Sequence, residues 1–357
     1  MERKGLKMID DVVLDWFCLI NTKGIGPKTF WAMMRSYKTA KESLKHVSNP
    51  FPSDKAKKIL KSYDCEIMLA NEDCFPKSLR RSASCPPILF YKGDKTVLLK
   101  NKIAIIGARN ASISGKSIAK NFAENLSNDF SIVSGMAKGI DTSAHIGSLE
   151  NKNSTIAVLP FGFDNIYPKE NTKLFQRISE NGIVLTESPP GMKPDQGMFQ
   201  ARNRIIALLS NCMIVIEAAA KSGTMSTAQM ALDLGCEVMV VPGSPLDPRS
   251  YGSNLLIKNG ALLVQNHHDV LESFGVLEKQ DQLSFNDQPL KKEYEMNNDE
   301  SEDICEKVLS VLSTNAVSMD EIAIHTNLSM PELLCVISDL EISGKIVKCG
   351  SNAISLA

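Results

Sequence analysis

Residues 103 to 112 read Ile103-Ala104-Ile105-Ile106-Gly107-Ala108-Arg109-Asn110-Ala111-Ser112, a short apolar run that ends in a glycine, a guanidinium and small residues. The same design recurs at Ser131 to Val133, Thr155 to Leu159, Ile183 to Leu185, Cys212 to Ile216, Val238 to Val241 and Leu262 to Val264. Most of these runs are separated by segments long enough for a helix. Continuous apolar strands alternating with helices predict a mostly parallel sheet covered on both faces, the doubly wound α/β architecture. A ligand of such a sheet sits beyond the carboxyl ends of its strands.

Outward from this region the composition is that of an ordinary globular chain: 357 residues, 43% apolar and 23% charged. That excludes wholesale disorder and a fibrous repeat. No apolar run approaches the roughly 18 residues of a membrane span. The first residues carry Glu2, Arg3, Lys4 and Lys7, and the stretch after them is broken by Asp10, Asp11 and Asp15. This pattern does not suit a secretory signal and predicts a cytoplasmic protein. Nine cysteines are scattered without a C-x-x-C pair, so neither a zinc nor a redox site is expected. The net charge of -1 conceals an asymmetry: residues 276 to 357 hold 15 acids against six bases, and the rest holds 34 bases against 26 acids. A cationic body suits a polyanionic ligand, and ordinary surface variation is the other reading of the same balance.

The flanks divide the chain into residues 1–64, 65–275, 276–300 and 301–357. In the first, Lys23-Gly24-Ile25-Gly26-Pro27-Lys28 lies between two apolar-periodic segments, which reads either as a helix-hairpin-helix whose amides meet a phosphate or as a glycine turn between two core helices. Residues 276–300 are polar and acidic and read as a linker. In the last segment, Ile304, Val308 and Leu312 mark one helix, Ser318 with Glu321 caps a second, and Met330 to Ser343 form a third. Two strands joined by Gly350-Ser351-Asn352 complete a winged-helix pattern. Its third helix carries Glu332, Asp339 and Glu341 and no base, which favours a protein-contact or stabilising role over DNA docking.

Three loops rich in small residues follow strand ends: Gly107 to Ser112, Ser134 to Asp141, and Lys221-Ser222-Gly223-Thr224. Each can present backbone amides to an anion at a helix start, and Arg109 adds a guanidinium. Gly115-Lys116-Ser117 imitates the end of a phosphate-binding G-x-x-x-x-G-K-[ST] loop, but Asn110 stands where its first glycine belongs. The dinucleotide G-x-G-x-x-G fingerprint is also missing, with Arg109 at its second glycine. Asp141 and His145, four residues apart, are either a general-base pair or a capping acid with a packed histidine. Arg202 and Arg204 open a helix, where cations oppose the dipole. They therefore need a phosphate, or a carboxylate such as Glu187 or Glu217.

Taken in order, a longer series of residues resembles the DNA-processing protein A family (DprA, also called Smf). It runs through Phe75-Pro76, Pro86-Pro87-Ile88-Leu89-Phe90-Tyr91-Lys92-Gly93-Asp94, Gly107-x-Arg109 and Ser134-Gly135-Met136-Ala137-x-Gly139-Ile140-Asp141-x-x-Ala144-His145. It continues with Tyr167-Pro168-Lys169-x-Asn171, Glu187-x-Pro189-Pro190-Gly191, Arg202-Asn203-Arg204-Ile205-Ile206, Glu217-Ala218, Ser222-Gly223-Thr224, Pro242-Gly243-Ser244 and Gly260-Ala261. Ser114, Pro160 and Gln200 depart from the family pattern, where tyrosine, glycine and proline are usual.

The resemblance implies a Rossmann-like domain with helix-hairpin-helix and winged-helix ends. It implies binding of single-stranded DNA without sequence preference, protection of that DNA, and loading of a RecA-type recombinase in natural transformation. No catalytic residue, cofactor or metal is implied. DNA contacts are expected from Gly107, Arg109 and Ser112; Ser134, Gly135, Ala137 and Gly139; Gly162, Lys169 and Asn171; Phe199, Arg202, Asn203 and Arg204; and Ser222, Gly223 and Thr224. Phe161, Phe163 or Phe199 are candidates for stacking on bases. Self-association is implied as a homodimer, and Leu255, Leu256, Ile257, Leu262 and Leu263 are either its surface or core. The competing class is a nucleotide phosphoribohydrolase on a similar fold, using a strand-end acid such as Glu217.

Overall fold

The computed structural model describes residues 10–151, 154–192, 195–275, 298–312, 317–326, 328–348 and 353–356. Four helices come first: α1 (Asp11–Ile20), α2 (Pro27–Tyr37), α3 (Ala40–Lys45) and α4 (Ser53–Ser62). They lead into β1 (Glu66–Leu69), the short α5 (Lys77–Arg80) and β2 (Ile88–Gly93). Strands and helices then alternate as β3 (Lys102–Gly107), α6 (Ile113–Leu126), β4 (Ser131–Ser134), α7 (Ile140–Ser148), β5 (Thr155–Leu159), α8 (Thr172–Asn181) and β6 (Ile183–Thr186). The series closes with α9 (Gln196–Leu209), β7 (Cys212–Ile216), α10 (Gly223–Asp233), β8 (Glu237–Val240), α11 (Tyr251–Lys258), β9 (Leu262–Leu263) and α12 (His267–Ser273).

Each of the seven apolar runs is a strand, and together with β1 and β2 they form one nine-stranded sheet in the order β1-β2-β6-β5-β4-β3-β7-β8-β9. Neighbours from β6 through to β9 are parallel. The chain builds outward from β3 to β6, then returns to lay β7 beside β3, so the switch point lies between those two strands. Alternate side chains of β3 enter different layers: Ala104 and Ile106 join one core cluster, Ile103 and Ile105 the other. The first layer is completed by Ile205, Ile206 and Leu209 of α9 and Ala228 and Ala231 of α10. The second is completed by Ala119, Phe122 and Ala123 of α6 and Val270 of α12.

Two features go beyond the expected plan. β1 and β2 extend the sheet antiparallel, through pairs such as Phe90↔Thr186 and Met68↔Leu89. In addition, the segment 1–64, expected as a domain of its own, shares its core with the sheet: Trp16, Phe17 and Phe30 cluster with Phe90 and Leu89. Residues Met1–Gln280 accordingly form a single compact unit. The turn through Gly24 and Gly26 joins α1 to α2, a geometry that the helix-hairpin-helix reading and the glycine-turn reading share.

The second unit, Asp281–Ala357, contains α13 (Asn298–Val311), β10 (Val317–Ser318), α14 (Met319–Thr326), α15 (Met330–Ile342), β11 (Ile346–Lys348) and β12 (Ala353–Leu356). Its strands pair in the order β10-β12-β11, and Val308, Ile322, Leu333, Ile337, Ile346 and Ile354 make its core. This is a winged-helix arrangement. The Ser318 and Glu321 side chains exchange bonds at the start of α14 as expected. The wing turn 350–352 and residues 276–297 of the acidic linker lie outside the described residues. Among the described residues no helix is long and apolar enough to cross a membrane.

Candidate nucleic-acid interface

The three small-residue loops leave the carboxyl ends of β3, β4 and β7, and a fourth, 160–171, leaves β5. Parallel pairing brings them to one edge of the sheet. At the switch point, however, the protein's own groups span the crevice. Glu217, at the end of β7, accepts hydrogen bonds from the Ser112 amide at 2.8 Å and from the Ser112 hydroxyl. Ser112 in turn caps α6 by accepting from the Gly115 amide. The carboxylate therefore sits where the dipole of α6 favours a negative charge. On the same side the Thr224 hydroxyl donates to the Gly107 carbonyl at 3.0 Å, and Ser222 caps α10.

Beneath the second loop lies a buried charged cluster. Arg202 is 5% exposed, and its guanidinium donates to the carbonyls of Gly135 and Val158, one after β4 and one within β5. Gly135 is there because a Cβ would collide with that guanidinium. Asp141 accepts from the amides of Gly135 and Ala137, both at 3.2 Å. Burial pushes the Asp141 carboxyl upward while Arg202 pulls it down. The same burial lowers Arg202 to about 10. His145 is fully buried, its Nδ1 meets the Thr155 hydroxyl at 2.7 Å, and burial depresses it to about 3. Asp141 and His145 therefore serve the loop and the core and are not presented to solvent.

Several expected DNA contacts are likewise turned inward. Arg204 pairs with Glu187 and donates to the Ser84 carbonyl at 2.6 Å. Glu187, and not Glu217, is thus its carboxylate. Asn171 is 7% exposed and donates to the Met136 carbonyl and the Thr142 hydroxyl. The Asn203 amide donates to the Thr227 hydroxyl, and the buried Ser134 hydroxyl donates to the Ile105 carbonyl. Gly162 is buried, with its Cβ position close to the Tyr63 hydroxyl. Phe161 is 4% exposed, and Phe163 stacks on Tyr63, so neither ring is open to a base. These residues shape the crevice from below.

What remains open is a cationic and aromatic wall. Arg109 is exposed, and its guanidinium carbon lies 5.2 Å from the ring centroid of the half-buried Phe199. Phe199 also meets Phe161 and Tyr167 edge-on, and Tyr167 is 51% exposed. Lys169 is exposed, and Lys138 is exposed in a salt bridge with Glu170. Arg109, Ala137, Lys138, Pro160, Tyr167 and Phe199 line one shallow cavity. Tyr167 stands in a sequence motif with no expected role, and Lys138 fills the unspecified place between Ala137 and Gly139. The signal that could have singled them out is their place beside Lys169 and Gly139 in loops after β5 and β4. Gly139 itself, at φ +78, lets the second loop pass the first, where a side chain would strike the Ala108 carbonyl.

Of the proposed association surface, Leu256 is 5% exposed and belongs to the core, and Ile257 packs against it. Leu255, Leu262 and Leu263 are 43–44% exposed. The last two sit on β9, the edge strand of the sheet.

A doubly wound sheet with an anion-suited edge, helical at its amino end and followed by a winged helix, defines a Rossmann-like class that need not hold a dinucleotide. The chain belongs to the DNA recombination-mediator protein A family, whose model matches residues 66–275. Further matches are a DprA-like N-terminal HHH domain at 10–53 and a DprA winged helix domain at 292–351. It is 43% identical over 203 residues to the DNA processing protein DprA of Streptococcus pneumoniae, covering 57% of this chain and 72% of that one. To the Bacillus subtilis DprA it is 40% identical over 200 residues, covering 56% and 67%. The crystal structure of the Streptococcus pneumoniae protein superposes with a TM-score of 0.65 at 31% identity, covering 74% of this chain and 98% of that one. DNA processing protein A from Helicobacter pylori, described for its single-stranded DNA binding mode, gives 0.55 at 32%, covering 60% and 97%.

Proposed function

We propose that this chain binds single-stranded DNA without sequence preference along the strand-end edge, protects it, and hands it to a RecA-type recombinase during transformation in the cytoplasm, acting as a homodimer. The observation that carries the binding step is Arg109 held against Phe199 beside Tyr167, with Lys138 at the same rim and the exposed Lys169 next in the chain to Pro168 of its lining. Cations track a phosphate backbone, and aromatic faces stack on any base, so this pairing gives affinity without reading sequence. The Helicobacter pylori relative, with its single-stranded DNA binding mode, supports the choice of ligand. Leu255, Leu262 and Leu263 are the residues proposed for self-association.

The hydrolase alternative is disfavoured because Glu217 is engaged by Ser112 across the switch point. Fluorescence anisotropy with labelled oligothymidylate and a duplex of equal length, at two salt concentrations, tests the reading. Tighter binding of the single strand with a steep salt dependence is expected. Equal affinity for both forms, or no salt dependence, overturns it.

A further inference from the structure

We propose a second nucleic-acid contact on this chain: a cationic trough along one face of α2 that takes a single-stranded phosphate backbone independently of the strand-end crevice. Lys28, Trp31 and Arg35 recur at i, i+3 and i+7 and so share one face of that helix. Trp31 and Arg35 line a cavity of about 470 Å³ together with Arg80 and Arg81. Lys28 lines an adjoining cavity of about 660 Å³. Arg81, Ser82 and Ala83 belong to both walls, so the two cavities meet along this segment and together make the trough. Among the described residues of its wall the one acid is Asp233, against four cations.

The trough shares no lining residue with the strand-end cavity. Asn211 and Cys236 in one wall immediately precede β7 and β8, whereas Ala70 and Cys85 in the other adjoin the ends of β1 and β2 that lie beside the carboxyl end of β6. Its chemistry matches a single strand in three respects. The Trp31 indole is fixed by donating to the Cys85 carbonyl at 2.8 Å and by ring contacts with Trp16 and Phe30, which gives a base a rigid surface to stack on. Arg35 and Arg81 are exposed guanidiniums suited to phosphate oxygens. The hairpin entering α2 is open: Gly24 is at φ +85, nothing lies within 4 Å of the Cβ positions of Gly24 or Gly26, and the Gly26 cap has no side chain to occupy the first-turn amides. An acidic peptide could use the arginines but has no need of the indole or the open amides.

Photocrosslinking of the full chain to an oligothymidylate carrying 5-iodouracil, with the modified peptides identified by mass spectrometry, tests this. Crosslinks to the peptide containing Trp31 are expected in the wild type and in Arg109→Ala. They should fall at least tenfold in the double variant Arg35→Glu, Arg81→Glu, while crosslinks to the Phe199 peptide persist. If the charge reversals unfold the chain, Arg35→Gln with Arg81→Gln makes the same comparison. Lack of a Trp31 crosslink in the wild type, its persistence in the double variant, or its loss in Arg109→Ala overturns the proposal. Competition by polyglutamate at equal charge that removes it marks the trough as a peptide seat and also overturns it. The crevice reading fails separately, if Trp31 crosslinks and Phe199 does not.

Discussion

Arg109 and Phe199, ninety residues apart in sequence, meet with the guanidinium carbon 5.2 Å from the ring centroid. The contact joins the loop after β3 to α9, and it sets a positive charge beside an aromatic surface at the mouth of the crevice.

On this basis Phe199→Ala should weaken single-stranded DNA binding by about 1–3 kcal/mol, the range for a lost base–aromatic stack. Arg109→Ala and Lys169→Ala should each lower affinity and reduce the slope of log affinity against log salt by roughly 0.7, one phosphate contact on a single strand. Both cations are exposed, so their melting temperatures should stay close to wild type. Anisotropy titrations at several salt concentrations, run beside thermal melts, check this. An unfolded Arg109 or Lys169 variant would show the residue to be structural.

Arg202→Met should behave in the opposite way. Its guanidinium holds two carbonyls and faces the buried Asp141. Removing it leaves that carboxylate and both carbonyls without their cation, a loss of about 3–5 kcal/mol of folding stability. Urea unfolding measures it, and a variant as stable as wild type would refute the buried role.

His145 makes stability depend on pH. In the folded chain it stays neutral down to about 3, whereas the unfolded chain takes up a proton near the ordinary value of 6.5. Between those values the unfolded state binds more protons, so stability should fall as pH drops from 6.5 towards 3. The contribution is at most about 1.4 kcal/mol per pH unit for one proton. His145→Asn should flatten the dependence by up to that amount, and an unchanged slope by urea unfolding at stepped pH would contradict the assignment.

Glu217→Gln removes the negative charge at the start of α6 and weakens the bonds from Ser112. A loss of about 0.5–2 kcal/mol is expected, as for a helix cap. No turnover should be lost, because the carboxylate serves the loop. Phosphate or free base released from nucleotides over many turnovers, and abolished by this substitution, would instead make the crevice an active site.

The sequence by itself determined the layers of the fold. Runs such as Ile103 to Ile106 and Cys212 to Ile216 are apolar on both faces, short and followed by small residues, which reads as strands covered twice with loops at one edge. It also carried the winged-helix signature, because caps such as Ser318 with Glu321 act within a single turn. Local pattern could not decide how the amino-terminal helices were used. Trp16, Phe17 and Phe30 read as apolar in any helical domain, and only long-range packing joined them to Phe90 and the sheet. Nor could it sort the polar residues of the crevice. Arg109, Arg202 and Arg204 are chemically alike in the chain, yet one is exposed against Phe199, one is buried on two carbonyls, and one is paired with Glu187. A charged side chain's role depends on what the desolvated space around it offers as a partner, and that space exists only once distant strands and helices have closed around it.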